Sequence, residues 1–123
     1  MIPCFVTAAL EGRQPVIYGD GEQTRDFIYV ENAVQANLLA ADAERASGCV
    51  VNIAAGTRTS LNDLWQGILK IVGTDLKAQH AAPREGDVRD SLADLTLASE
   101  LLGYAPGVDL DAGLGRTIAG FRS

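Results

Sequence analysis

Between Thr59 and Gly73 the apolar positions fall at Leu61, Leu64, Trp65, Ile68 and Ile71, the three-and-four spacing of one helix face. Thr59 or Ser60 offers a capping hydroxyl in front of that run, and Gly73 a stop behind it. A second helix is predicted over Glu31–Ala46, with Ala33, Val34, Leu38 and Ala41 as its apolar stripe and Gly48 just beyond its end. Pro3–Leu10 reads as a helix with proline in its first turn and Gly12 at its C-terminal end. Asp94 caps a short helix through Leu102, closed by Gly103, and Leu110–Phe121 forms the last one. Runs of another kind separate these helices. Pro15-Val16-Ile17-Tyr18 is a short β-prone run stopped by Gly19-Asp20-Gly21. Arg25–Val30 and Cys49–Ile53 are apolar enough to be strands covered on both faces. Residues 76–82 fit an edge strand, and Pro83–Asp87 a loop. Strand and helix alternate, so the expected class is a small mixed α/β domain.

Composition narrows what such a domain can do. The 123 residues suit one domain, with 47% hydrophobic content to build a core. A net charge of −6 leaves no broad footprint for nucleic acid or an anionic membrane. No apolar run nears the ~18 residues of a bilayer span, and the first residues are not a signal peptide. Cys4 and Cys49 are expected to be buried small hydrophobes in a reducing compartment, which places the chain in the cytoplasm. With His80 as the single histidine and no close Cys spacing, neither a metal site nor a Cys–His nucleophile is expected.

If the ligand is anionic, a few positioned arginines must hold it. Arg25 stands at the mouth of an apolar run beside Asp26. An unpaired guanidinium there is costly, so it pairs either with Asp26 or with a bound anion. Arg84 lies in a Pro- and Gly-containing loop, where solvated charge and function are both common. Arg58 and Arg89 read as surface residues. Gly19-Asp20-Gly21 is no dinucleotide fingerprint, because Thr24 stands where the third glycine belongs and no helix follows.

Five runs stand in an order that resembles a known family. They are Pro15–Val30 (PVIYGDGEQTRDFIYV), Val51–Ala54 (VNIA), Pro83–Val88 (PREGDV) followed by Ala93-Asp94, Leu102–Pro106 (LGYAP) and Gly113–Ile118 (GLGRTI). Together they resemble the C-terminal, substrate-binding part of NAD-dependent sugar-nucleotide epimerases and dehydratases, the extended short-chain dehydrogenases of the UDP-glucose 4-epimerase kind. The resemblance covers essentially all of residues 1–123. It implies that Arg25 and Arg84 clamp the nucleotide diphosphate, each offering a planar fork of donors. It implies that the base and ribose lie against Val16 and Tyr18, with a polar contact from Asn52. The segment Ile2-Pro3 with Phe5 resembles one that closes over the nucleotide; as bare residues, Phe5 and Tyr18 read equally as core aromatics.

The family's hydride chemistry needs NAD on a glycine-rich turn and a Tyr-x-x-x-Lys pair with Ser or Thr. Four residues after Tyr18, Tyr29 and Tyr104 stand Glu22, Ala33 and Val108, and no glycine-rich fingerprint occurs. The resemblance therefore implies a chain that is incomplete relative to a two-domain Rossmann-type parent. The dinucleotide-binding domain, about 150 to 200 further residues, is absent, with no catalytic or cofactor-binding residue and no metal in the chain itself. Two functions stay open. One is the UDP- or dTDP-hexose-binding part of such an enzyme, inactive alone. The other is a stand-alone nucleotide-sugar-binding or self-association module. In either case the apolar runs that a parent would cover are expected to drive homo-oligomers.

Overall fold

The computed structural model describes all residues, 1–123. Helix α1 (Ile2–Glu11) leads through Gly12, in the left-handed conformation, to strand β1 (Val16–Tyr18). A glycine turn connects it to β2 (Thr24–Arg25), which precedes α2 (Val30–Asp42) and a single 3-10 turn (Glu44–Ala46). After a long connection come β3 (Thr59–Ser60), α3 (Leu61–Val72), β4 (Gln79–Ala81), a wide π turn (Ala98–Leu102) and α4 (Leu110–Arg122). No helix is long and apolar enough to cross a membrane.

The main core forms where α1, α3 and α4 meet behind β1. Val6, Ile17, Leu64, Ile68 and Ile118 are fully enclosed there, and Phe5 meets Trp65 edge-on with ring centroids 5.7 Å apart. Helix α3 contributes more of this core than any other element, as its periodicity requires; Ser60 caps it by accepting from the Asp63 amide, and Gly73 ends it. Trp65 turns its ring nitrogen to the Leu76 carbonyl at 2.9 Å, so its bulk is buried without an orphaned donor. Each such side chain contributes about 1.5–3 kcal/mol on burial. A smaller cluster gathers Ala36 of α2, Ala98 and Tyr104.

Two strand pairs flank the main core. β1 runs parallel to β4, with Ile17 opposite His80 and Tyr18 opposite Ala81. β2 is antiparallel to β3, and Thr24 also bridges to Asp90. The two apolar runs predicted as covered strands behave otherwise. Only Thr24–Arg25 pairs, because residues 26–29 find no partner backbone; the Asp26 carboxylate instead accepts from the amides of Ala55 and Gly56, both at 2.9 Å. Residues 49–53 form no strand at all, and Val50 is 90% exposed. An extended run with no ladder partner gains nothing from strand geometry.

The stripe expected to bury α2 also lies outward, with Val34 and Leu38 exposed, while Asn32 and Ala36 face inward. Asn32 is 1% exposed and explains the difference. Its Nδ2 donates to the Val108 carbonyl at 2.8 Å, and its Oδ1 accepts from the amides of Gly107 and Val108. One polar side chain thereby fixes which face of α2 turns toward the 104–108 segment. Cys4 and Cys49, expected to be buried, are both exposed free thiols.

Tyr104 is enclosed and donates from its hydroxyl to the Ala54 carbonyl at 2.7 Å. Burial first, and the nearby Asp26 carboxylate second, push its phenol above the usual 10.0. The folded state therefore holds this proton more tightly than the unfolded chain does. The contribution is complete below pH 10.0 and is lost as pH rises through the higher folded value. Tyr104→Phe should lower stability near neutrality yet flatten its alkaline decline, measured by urea midpoints across a pH series.

Candidate functional site

The pleat of β1 turns Val16 and Tyr18 to one side and buries Ile17 on the other. The outward pair forms one wall of a cavity of about 360 Å³, completed by Met1, by Cys4 and Phe5 from α1, and by Gln23, Arg84 and Asp87. Phe5 thus serves both readings: it is packed in the core and reaches the cavity wall. An adjoining cavity of about 270 Å³ shares Tyr18, Gln23, Arg84 and Asp87, and adds Asp20 and Arg89. A larger, alanine-rich groove of about 510 Å³ lies elsewhere, between α2 and the 46–53 segment, and none of its lining residues is charged.

The turn after β1 sets this arrangement. Gly21 has φ +79° and is buried against α3, where an added Cβ would sit 2.1 Å from Asn62 Oδ1. Asn62 is not free to yield: its Nδ2 donates to the Asp20 carbonyl at 3.0 Å and to Glu22 Oε1 at 2.6 Å. Gly21→Ala should therefore cost about 1–3 kcal/mol from backbone strain alone, read as a lowered denaturation midpoint.

Arg25 pairs with Asp87, not with its neighbour Asp26. Its Nη2 lies 2.7 Å from Asp87 Oδ1, and its Nη1 donates to the Thr24 carbonyl at 2.7 Å. Nε and one hydrogen of Nη2 are left without an acceptor in the chain. Arg25 does not line either cavity itself; Asp87, which lines both, connects it to them. Arg84 makes no ion pair, and its guanidinium carbon sits 3.9 Å over the centroid of the Tyr18 ring. That cation–π contact covers one face of Tyr18 and is worth about 0.5–1 kcal/mol at an exposed site, little enough for a phosphate to compete. Asn52 is exposed on the unpaired 49–53 run and lines neither cavity.

Residues that the sequence reading passed over complete the site. Gln23 is only 6% exposed; its Nε2 donates to the Tyr18 carbonyl at 2.8 Å, while its Oε1 has no partner. Asp87 was visible as part of a loop and of the PREGDV run, without a role of its own. Arg89, read as a surface residue, grips Asp20 with both terminal nitrogens, at 2.7 and 3.1 Å. The Arg89 guanidinium, helped by the Glu22 amide, holds the Asp20 carboxyl below the usual carboxylate range. The signal for these pairings was the proximity of acids and arginines in two runs, but partners some 60 residues apart are set by the β1–β4 register and the Thr24–Asp90 bridge.

The site combines an aromatic and aliphatic wall with two guanidiniums that retain donor capacity, which suits a ligand with a flat apolar end and a charged phosphate end. Gly19 and Gly21 turn the chain from β1 into β2 and open no helix. These residues therefore do not fit a dinucleotide pyrophosphate, which needs amides at a helix N-terminus. Residues 1–54 match the NAD dependent epimerase/dehydratase family. A putative UDP-glucose 4-epimerase of Methanocaldococcus jannaschii is 38% identical over 96% of this chain and 37% of its own length. The crystal structure of UDP-glucose 4-epimerase with UDP-glucose from Thermotoga maritima superposes with a TM-score of 0.92 at 40% identity, covering 98% of this chain and 38% of that one. The UDP-glucuronic acid 4-epimerase of Bacillus cereus, a Y149F mutant holding UDP-4-deoxy-4-fluoro-glucuronic acid and NAD, superposes with a TM-score of 0.92 at 29% identity, over 98% of this chain and 39% of that one. The chain thus spans less than two-fifths of the length of each of these relatives.

Proposed function

We propose that this chain, which is homologous over nearly its whole length to part of the UDP-glucose 4-epimerase-like NAD-dependent epimerases and dehydratases, is the part that binds the nucleotide-diphosphate sugar. The observation that carries the reading is the convergence of Arg84, Tyr18 and Val16 on one cavity, with Arg25 tied to its rim through Asp87. In this reading Arg25 and Arg84 hold the diphosphate. Val16 and the uncovered side of Tyr18 receive the base, and Asn52 approaches from the unpaired run. Asp87, once a phosphate relieves it of Arg25, can accept from ribose hydroxyls. These residues bind and orient a UDP- or dTDP-hexose. Hydride transfer to NAD, the chemistry of the larger enzyme, falls to groups other than these. A cytoplasmic setting suits the exposed free thiols Cys4 and Cys49.

The test is a calorimetric titration of the 123-residue chain with UDP, UMP and uridine. Affinity should fall in that order, because the clamp acts on phosphate, and millimolar binding of UDP corresponds to about −4 kcal/mol. UDP that fails to bind at millimolar concentration, or that binds no better than uridine, overturns the reading. A second reading, a self-associating module, is favoured by one observation: Leu38 and Val50 stand in solvent beside an unpaired apolar run. Light scattering at micromolar concentration decides it, since a stable monomer excludes a homo-oligomer that covers this face.

A further inference from the structure

The loop that bears Arg84 is fastened at both ends to the β1–β2 segment. At its start, the Gly19 amide donates to the Ala81 carbonyl at 2.9 Å, extending the β1–β4 ladder. At its end, the Thr24 amide donates to the Arg89 carbonyl at 2.9 Å, the Ser91 amide donates to the Thr24 carbonyl at 3.1 Å, and Thr24 Oγ1 donates to Asp90 at 2.9 Å. Side chains add two ion pairs to these bonds: Arg25–Asp87 within the strap, and the two-pronged Arg89–Asp20 pair at its far end. Between the fastenings, residues 82–88 are exposed throughout and span the cavity that Tyr18 and Gln23 floor.

We infer that the Asp20–Arg89 pair is a latch, and that it positions the 82–88 strap so that Arg84 and Asp87 face the ligand. Arg89 and Asp20 are positioning residues; the groups that would touch a nucleotide are Arg84 and Asp87. Two features make the pair suited to this. Its partners sit on the glycine turn and just past the end of the strap, so nothing in either segment alone brings them together; their separation is 69 residues. The two-pronged geometry fixes direction as well as distance, which a single surface contact does not. Asp20 is itself oriented by the Glu22 amide at 2.9 Å, a contact that does not involve the strap. The same carboxylate neutralises Arg89 at the wall of the adjoining cavity, leaving Arg84 as the strap's unpaired cation there.

The consequence for ligand binding rests on the nucleotide-sugar reading; the latch itself does not. Two variants separate them: Arg89→Ala, and Asp20→Asn, which keeps an acceptor for the Glu22 amide but loses the charge. Amide exchange of the chain without ligand is read at Asp87, whose amide donates to the Arg84 carbonyl, and at Ser91. Each single variant should exchange about two- to fivefold faster at these positions, the range of a surface pair with good geometry. The double variant should exchange no faster than either single one, as for two residues acting through one contact. UDP titration of the same proteins should show affinity reduced by a like factor, with Arg89→Lys, which keeps charge but not the fork, falling between. Unchanged exchange in both single variants, or additive effects in the double, overturns the latch. If UDP fails to bind the unaltered chain, the functional reading falls while the exchange data still decide the latch. If exchange quickens but UDP affinity holds, the strap is latched but its position does not serve the ligand, and the inference fails in that part.

Discussion

Replacing Arg25 with alanine is expected to weaken UDP binding by about ten- to a hundredfold, the ~1.5–3 kcal/mol carried by a charge-assisted bond to phosphate. The expectation follows from how Arg25 is spent in the free chain. One Nη2 hydrogen serves Asp87 and Nη1 serves the Thr24 carbonyl, so the Nε edge remains for an anion. A phosphate that also displaces Asp87 gains a full fork. Arg25→Lys should recover only part of the loss, since an ammonium supplies charge without that planar pair of donors. Calorimetry with UDP measures both, and far-ultraviolet circular dichroism should show the fold retained, because the Arg25–Asp87 pair is partly exposed and contributes little to stability. An Arg25→Ala variant that binds UDP as the unaltered chain does would remove Arg25 from the site.

The largest loss of stability is expected at Asn32. Its amide satisfies one backbone carbonyl and two backbone amides of the 107–108 segment, and both Asn32 and Val108 are buried. Asn32→Ala leaves those groups unpaired at about 1–3 kcal/mol each, part of which is recovered by water, for a net loss of about 3–5 kcal/mol. Against the roughly 5–15 kcal/mol by which domains of this size are stable, the variant is close to unfolding. Asn32→Asp keeps the acceptor for both amides but sets a carboxylate oxygen against the Val108 carbonyl in place of the donor, so it too should destabilise. Urea midpoints give the comparison, and a midpoint for Asn32→Ala within error of the unaltered chain would contradict the assignment.

Asn32 also shows where the sequence stops being legible. The period of Leu61, Leu64, Trp65 and Ile68 is a property of one helix, and it placed α3, its Ser60 cap and its Gly73 stop correctly. Likewise Gly12 marked the end of α1, and the 79–81 strand fell within the predicted edge. For α2 the same reasoning chose Val34 and Leu38 as the inner face, because apolar spacing cannot see that a carboxamide has three backbone partners 75 and 76 residues away. Arg25–Val30 and Cys49–Ile53 failed for a related reason. Their composition suits a covered strand, but a strand exists only where a neighbour completes its ladder. In the site, Arg84, Tyr18 and Val16 were found through ordered motifs and do share a cavity, whereas Asn52 does not line it. Asp87 and the Asp20–Arg89 pair escaped notice because each matters only through a partner more than 60 residues away, and Gln23 because its contact is with a backbone carbonyl of the turn it closes.

The two cysteines, misread as core residues, turn this chain into a molecule that carries its own labels. Cys4 lies on the wall of the cavity beneath Arg84, and Cys49 on the rim of the alanine-rich groove. Each thiol reacts with an alkylating reagent at a rate governed by access. A nucleotide entering the cavity must slow the labelling of Cys4 and spare Cys49, and a protein surface closing over the groove must do the reverse. One mass spectrum of partly alkylated chain therefore distinguishes the two occupancies without any change to the sequence.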